Sequence, residues 1–187
     1  MEKEIIKAIE TLSAGKTILY PTDTIWGIGC DATSSRAVSK IYKIKQRVES
    51  KSLIILLDDA DKLKKYVKSV PFSTYDILKS VDTPLTVIYP NAKNLAKNVI
   101  APDGTIAIRI VKDKFCQELI KRFGKPIVSS SANISGQLDP YIYSKISNDI
   151  IEKVDYVVNV NVGLIRATKA SRIIKMEENG EFKVIRE

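Results

Sequence analysis

The chain has 187 residues, 44% of them hydrophobic, and a formal charge of +8. That length suits one domain with one sizeable core, and no apolar run approaches the roughly 20 residues a membrane span needs. Histidine is absent, which excludes Ser-His-Asp and Cys-His nucleophile pairs and histidine-ligated metals. Any catalysis therefore rests on Lys, Arg, Asp, Glu, Ser, Thr, Tyr and backbone groups. Two scattered cysteines, Cys30 and Cys116, make neither a disulfide framework nor a zinc site and read as buried hydrophobes. The N-terminus is charged and helical in pattern, unlike a signal or transit peptide, so a cytoplasmic protein with no membrane partner is expected. The positive excess favours an anionic partner, a nucleotide or a nucleic acid.

In chain order, residues 2–14 predict an amphipathic helix, with Ile5, Ile6, Ile9 and Leu12 on one face and Gly15 as its stop. A strand at Thr17–Tyr20 ends at Pro21. Gly27 and Gly29 superficially match a dinucleotide fingerprint. The match is rejected because Trp26–Gly29 reads as extended and the next helix, Ser35–Lys45, starts too late. Val38, Ile41 and Tyr42 face inward on that helix. Leu53–Leu57 is a continuous apolar run, as in a strand covered on both faces. Helical patterns over 60–68 and 73–81 precede strands at 85–89 and 105–111. Asp113–Phe123 is a helix stopped at Gly124, and Pro126–Ser130 is a strand leading into a polar loop. A helix over 143–151 precedes a strand at 156–160. Asn179-Gly180 between Ser171–Met176 and Phe182–Arg186 is a hairpin signal. Strands and helices alternate, so the class is α/β, with the closing hairpin suggesting a mixed sheet.

Four segments carry possible chemistry. Thr22-Asp-Thr24 follows a strand end, where ligands gather in open α/β sheets; the same residues equally suit ordinary turn bonding. Lys40, Lys43, Lys45, Arg47 and Lys51 crowd a helix end. Lys40 and Lys43 fit a favourable helix C-terminus, whereas Lys45 and Arg47, just before a buried strand, suit a triphosphate. No Gly-rich phosphate loop of the Walker type exists, so side-chain cations would have to serve. Arg109 lies amid isoleucines on a strand and is expected to be half-buried. Its partner is either an internal carboxylate or that of a ligand. Ser129–Gly136 offers hydroxyls, an amide and backbone N–H groups to a phosphate or ribose, or is a plain polar loop.

Taken in order, Pro21-Thr-Asp-Thr-Ile-Trp-Gly-Ile-Gly29, Lys45-Gln-Arg47, Pro84-Leu-Thr86, Ala107-Ile-Arg109 and Ser131-Ala-Asn133 resemble the YrdC family of threonylcarbamoyl-AMP synthases. The resemblance is collinear over nearly the whole chain. It implies a twisted α/β sheet, mixed or largely parallel, around a large basic cavity, as a single domain over 1–187 without the extra C-terminal domain of longer members. It implies that L-threonine, bicarbonate and ATP with Mg²⁺ become threonylcarbamoyl-AMP and pyrophosphate in a nucleotidyl transfer. The product would be passed to a downstream tRNA threonylcarbamoyl transferase complex. By resemblance, Thr24, Arg109, Ser131 and Ser171 contact threonine. Lys45, Arg47, Thr105, Asn133, Tyr141 and Arg186 contact ATP, and Lys45, Arg47, Ser131 and Asn133 form the catalytic set; no side chain is assigned to a metal. Asp23 stands where the family usually has Glu, and Trp26 where it has Tyr or Phe. Two rival readings are an RNA-binding module using the basic cavity, with possible tRNA contact, and a paralogue of the same fold with altered substrate.

Overall fold

The computed structural model describes residues 1–48, 53–160 and 170–187. Lys51 and the 167–169 part of the stretch before Ser171 lie outside them. Six α-helices occur among the described residues: α1 (Glu2–Ser13), α2 (Ser35–Lys45), α3 (Leu63–Tyr66), α4 (Ser73–Ser80), α5 (Lys114–Phe123) and α6 (Asn148–Ile151). The strands are β1 (Ile18–Tyr20), β2 (Gly27–Gly29), β3 (Ile54–Leu57), β4 (Leu85–Tyr89), β5 (Ile106–Ile110), β6 (Ile127–Ser131), β7 (Tyr156–Val157), β8 (Arg172–Met176) and β9 (Phe182–Arg186). They form one sheet in the order β7-β1-β2-β6-β3-β5-β4-β8-β9. Pairs β1–β7, β3–β5 and β4–β8 are parallel and the others antiparallel, so the sheet is mixed, with more antiparallel pairing than a simple alternation of strands and helices implies.

Local signals explain the best-defined ends. The Ser34 side chain accepts from Ala37 N–H at the start of α2. Asp113 accepts from Cys116 N–H at the start of α5, and Gly124 closes that helix in the left-handed region at φ 75°. Three expectations change. Ile6 is 42% exposed, and α1 buries Ile5, Ala8 and Leu12 instead. The pattern over 60–68 breaks into a 3₁₀ turn and the short α3, because Val67 is extended and bridges Ala92. The pattern over 143–151 likewise divides, since Ile146 and Ser147 are extended between a 3₁₀ turn and α6.

Because strand side chains alternate, the sheet has two distinct faces. On one, Ile55, Leu57, Val87, Ile106, Ile108, Val128 and Ile174 pack with Val38, Ile41 and Tyr42 of α2. On the other, Ile18, Tyr20, Leu56 and Ile127 pack with Ile5 and Leu12 of α1 and Phe115 and Leu119 of α5. These two helices cover only part of the second face. Its remainder carries Ile54, Ile88, Ala107, Arg109, Ser129 and Ile173, which border a cavity. Both cysteines are buried and unbridged, and burial pushes both thiols far up.

Gly29 shows why the glycine pair is not a nucleotide loop. It lies inside β2, and a Cβ there would meet Tyr20 Cε1 at 2.6 Å and the Val128 carbonyl oxygen at 2.8 Å. Gly29→Ala is expected to cost about 1–3 kcal/mol by overpacking, measured as a lowered urea midpoint with unchanged slope.

Candidate functional site

The cavity has a volume of about 290 Å³. Thr24, Arg47, Arg109, Ser131, Ser171 and Arg186, six residues singled out in separate parts of the sequence, all line it. Mixed strand directions explain why the site spreads over a sheet face rather than beyond the strands' carboxyl ends. β3 and β5 run together, β4 and β6 run against them, and their side chains of equal parity meet on one face. Ser129, Ser130, Trp26 and Asp139 also line the cavity. Ser129 is the residue on this face that period-two counting from Ile127 could have assigned to the floor. Asp139, a single acid in a polar loop, gave no signal.

Arg109 is 4% exposed, deeper than the half-burial expected. Its Nη2 lies 3.2 Å from Asp23 Oδ1, and Asp23 Oδ2 accepts from the Lys112 backbone N–H at 3.3 Å. Of the two partners considered for this arginine, the internal carboxylate is present, and the same side chain borders the cavity. The pair is a charge contact rather than a hydrogen bond, since Asp23 Oδ1 and Arg109 Nε both lack a hydrogen-bond partner.

Thr22 engages the turn bonding expected of this segment. Its hydroxyl donates to the Ile25 carbonyl at 2.7 Å and accepts from Thr24 N–H at 3.1 Å. Across the sheet, the Ser171 hydroxyl meets the Thr86 hydroxyl at 2.8 Å. Arg186 donates from Nε and Nη2 to the Ser171 carbonyl, at 3.1 and 2.7 Å, which brings β9 to the cavity wall.

Lys45 and Asn133 sit behind the wall. Lys45 is 1% exposed, and its ammonium donates to the Ser131 carbonyl, to the Asn133 carbonyl at 2.7 Å and to Asn133 Oδ1 at 3.1 Å. An ammonium has three hydrogens, and all three are engaged. Asn133 Oδ1 also accepts from the Ser131 hydroxyl at 2.6 Å, and its Nδ2 donates to the Gln137 carbonyl at 2.6 Å. These two residues thus hold the Ser131–Gln137 turn against the end of α2, and in this arrangement Lys45 offers a ligand its charge rather than a hydrogen bond. Burial, aided by the Arg47 charge, pushes the Lys45 ammonium down to about 8, while the Asp139 carboxylate opposes the shift.

Besides Lys45 and Asn133, two further residues assigned to ATP do not join the lining. Thr105 donates to Asp103 Oδ1 at 2.6 Å, and Tyr141 is 43% exposed. Among the described residues no group of three or more His, Cys, Asp or Glu side chains gathers as a metal would require, and no helix is long and apolar enough to cross a membrane.

Residues 10–187 match the Sua5/YciO/YrdC family model, described as "Telomere recombination". The chain belongs to the Sua5/YciO/YrdC family. A threonylcarbamoyl-AMP synthase of Pseudoalteromonas translucida is 36% identical over 165 residues, covering 87% of this chain and 88% of the relative. A putative threonylcarbamoyl-AMP synthase of Methanocaldococcus jannaschii is 34% identical, covering 95% and 84%. The crystal structure of P. abyssi Sua5 complexed with L-threonine matches with a TM-score of 0.87 at 26% identity, covering 94% of this chain and 52% of that one. This chain therefore spans about half of that protein. E. coli YciO matches with a TM-score of 0.86 at 21% identity over the whole chain and 90% of its own, a likeness of fold.

Two predictions follow from the buried cations. Arg109→Leu leaves Asp23 buried with one long backbone contact, so it should lose about 3–5 kcal/mol of stability; adding Asp23→Asn should recover part of that loss in a chemical denaturation series. For Lys45, the unfolded chain keeps its proton up to about pH 10.5 while the folded chain releases it from about pH 8. Between those values the unfolded state binds more protons, so this group's contribution to stability rises with pH. The stability of the wild type relative to Lys45→Met should therefore increase from pH 8 to 10, read from urea midpoints.

Proposed function

We infer that the chain is a threonylcarbamoyl-AMP synthase, a nucleotidyltransferase that converts L-threonine, bicarbonate and ATP to threonylcarbamoyl-AMP and pyrophosphate. The observation that carries this reading is the convergence of three arginines from distant parts of the chain on one small polar cavity. Arg109 is fixed on the sheet floor by Asp23, and Arg47 and Arg186 come from the chain after α2 and from β9. The names of the relatives at 36% and 34% identity support the same activity.

In this reading Arg109 takes the threonine carboxylate, with Thr24, Ser131 and Ser171 around the rest of the amino acid. The amine combines with bicarbonate to give a carbamate and water. A carbamate oxygen then attacks the α-phosphorus of ATP, the bond to the β-phosphate oxygen breaks, and pyrophosphate leaves. The carbamate decays in water, so holding the reactants together and excluding solvent are the protein's main tasks. A volume of about 290 Å³ accommodates the amino acid and its carbamate. The nucleotide extends to the rim, where Arg47 and Arg186 offset charge on the phosphates. Lys45 and Asn133 serve by shaping the Ser131 wall. Mg²⁺ enters with ATP as part of that substrate, since hard cations bind phosphate oxygens; Asp139 and the serine hydroxyls are oxygen donors of the matching kind. The product would then pass to a tRNA threonylcarbamoyl transferase complex, in keeping with work in the cytoplasm.

Incubation with ATP, Mg²⁺, bicarbonate and labelled threonine should yield threonylcarbamoyl-AMP by mass spectrometry. Arg47→Ala should cut turnover by about 100-fold or more with the fold retained. No product from the wild type would defeat the assignment, and a folded, fully active Arg47→Ala would remove Arg47 from the phosphate site.

A further inference from the structure

In the Pro21–Ile25 turn, a residue behind the cavity wall fixes where the hydroxyl proton of a wall residue goes. Thr22 is 2% exposed and is not part of the wall. Its single hydroxyl proton goes to the Ile25 carbonyl, at 2.7 Å. Its oxygen lies 3.0 Å from the Thr24 hydroxyl oxygen. Two hydroxyl oxygens at that separation need one proton between them, and Thr22 has none left to give. The proton must come from Thr24. Thr24, which does line the cavity, is thereby left with lone pairs alone for a ligand.

We propose that Thr22 is a positioning residue that makes Thr24 an obligatory hydrogen-bond acceptor, so that Thr24 receives an N–H of the substrate's amine. The inference rests on the amino-acid reading of the cavity. It deepens that reading by assigning the two ends of the substrate. Arg109, a cation, takes the carboxylate, and the acceptor-only hydroxyl at Thr24 takes the amine. A hydroxyl that accepts one amine N–H leaves the nitrogen lone pair to point elsewhere, toward the carbon that becomes the carbamate. The arrangement is built within one turn. The Thr24 N–H is held by Thr22 as well, at 3.1 Å, so the backbone and the hydroxyl of Thr24 are oriented by the same oxygen.

The test compares the binding of L-threonine with that of 3-hydroxybutanoate, which keeps the carboxylate and hydroxyl and lacks the amine. Calorimetry on the full chain gives the ratio of the two affinities, and ATP binding and a melting curve report on folding. Wild type should prefer threonine. In Thr22→Val the preference should shrink roughly tenfold, the scale of one hydrogen bond to a charged group, with ATP affinity kept. Thr22→Ser, which restores the hydroxyl, should restore the preference. Should Thr22→Val not fold, Thr24→Val carries the same test, since it removes the acceptor itself. A folded Thr22→Val, or failing that a folded Thr24→Val, with the wild-type ratio overturns the inference. So does Thr22→Ser behaving like Thr22→Val, which would make the role steric. If the wild type binds neither compound, the amino-acid reading fails and takes this inference with it; that outcome is distinct from binding both with no preference, which overturns the amine assignment alone.

Discussion

A guanidinium buried to 4% exposure in the middle of a sheet has to be balanced, and the arrangement around Arg109 is how this fold does it. An unpaired charge there would be prohibitively costly. Asp23 supplies the counter-charge from the turn after β1, which pins that turn against β5, 86 residues further along the chain. Thr24 and Trp26 are carried to the cavity wall by the same turn. The ion pair thus positions half of the site as well as neutralising its floor. Asp23 balances the charge without hydrogen-bonding the fork, and Arg109 Nε keeps a donor unused.

A second buried cation organises the other half. Lys45 ends α2 and reaches across to the end of β6, where it fastens the Ser131–Asn133 backbone. The two cations differ in kind. Arg109 borders the cavity and has donor capacity left over, whereas the Lys45 ammonium has each hydrogen engaged. Residues that look alike in a motif therefore divide into those that face a ligand and those that hold the wall. Ser131 faces it while Asn133, two residues on, is occupied by Lys45, Ser131 and the Gln137 carbonyl.

The cavity exists because α1 and α5 cover only part of the second sheet face. The apolar residues Leu56 and Ile127 end under these helices, and the pattern then changes to Ala107, Ser129 and Arg109. Small and polar side chains on that stretch leave room and donors in place of a packed core. The opposite face, carrying Ile55, Ile106, Ile108 and Val128, is mainly apolar and packs with α2 and the segments around it. One face supplies most of the cohesion, and the other leaves room for a polar site.

The sequence by itself determined what depends on bonds between near neighbours. α2 and α5 start and stop at their own caps, the Asn179-Gly180 hairpin forms where its turn residues stand, and the rejected glycine fingerprint is a strand. The ordered motifs also marked Thr24, Arg47, Arg109 and Ser131, and the resemblance they carry added Ser171 and Arg186; all six meet at the cavity. Where neighbours did not decide, the reading was less sharp: Ile6 has the right spacing for burial but meets solvent, and two helical patterns break where extended residues intervene. Only the tertiary structure decided that Arg109 takes Asp23, that Lys45 spends its hydrogens on carbonyls 86 and 88 residues away, and that Thr105 turns to Asp103. A motif specifies which donors and acceptors are present. Their partners are set by which strands lie side by side, and strand order is a property of the folded sheet rather than of any local stretch of chain.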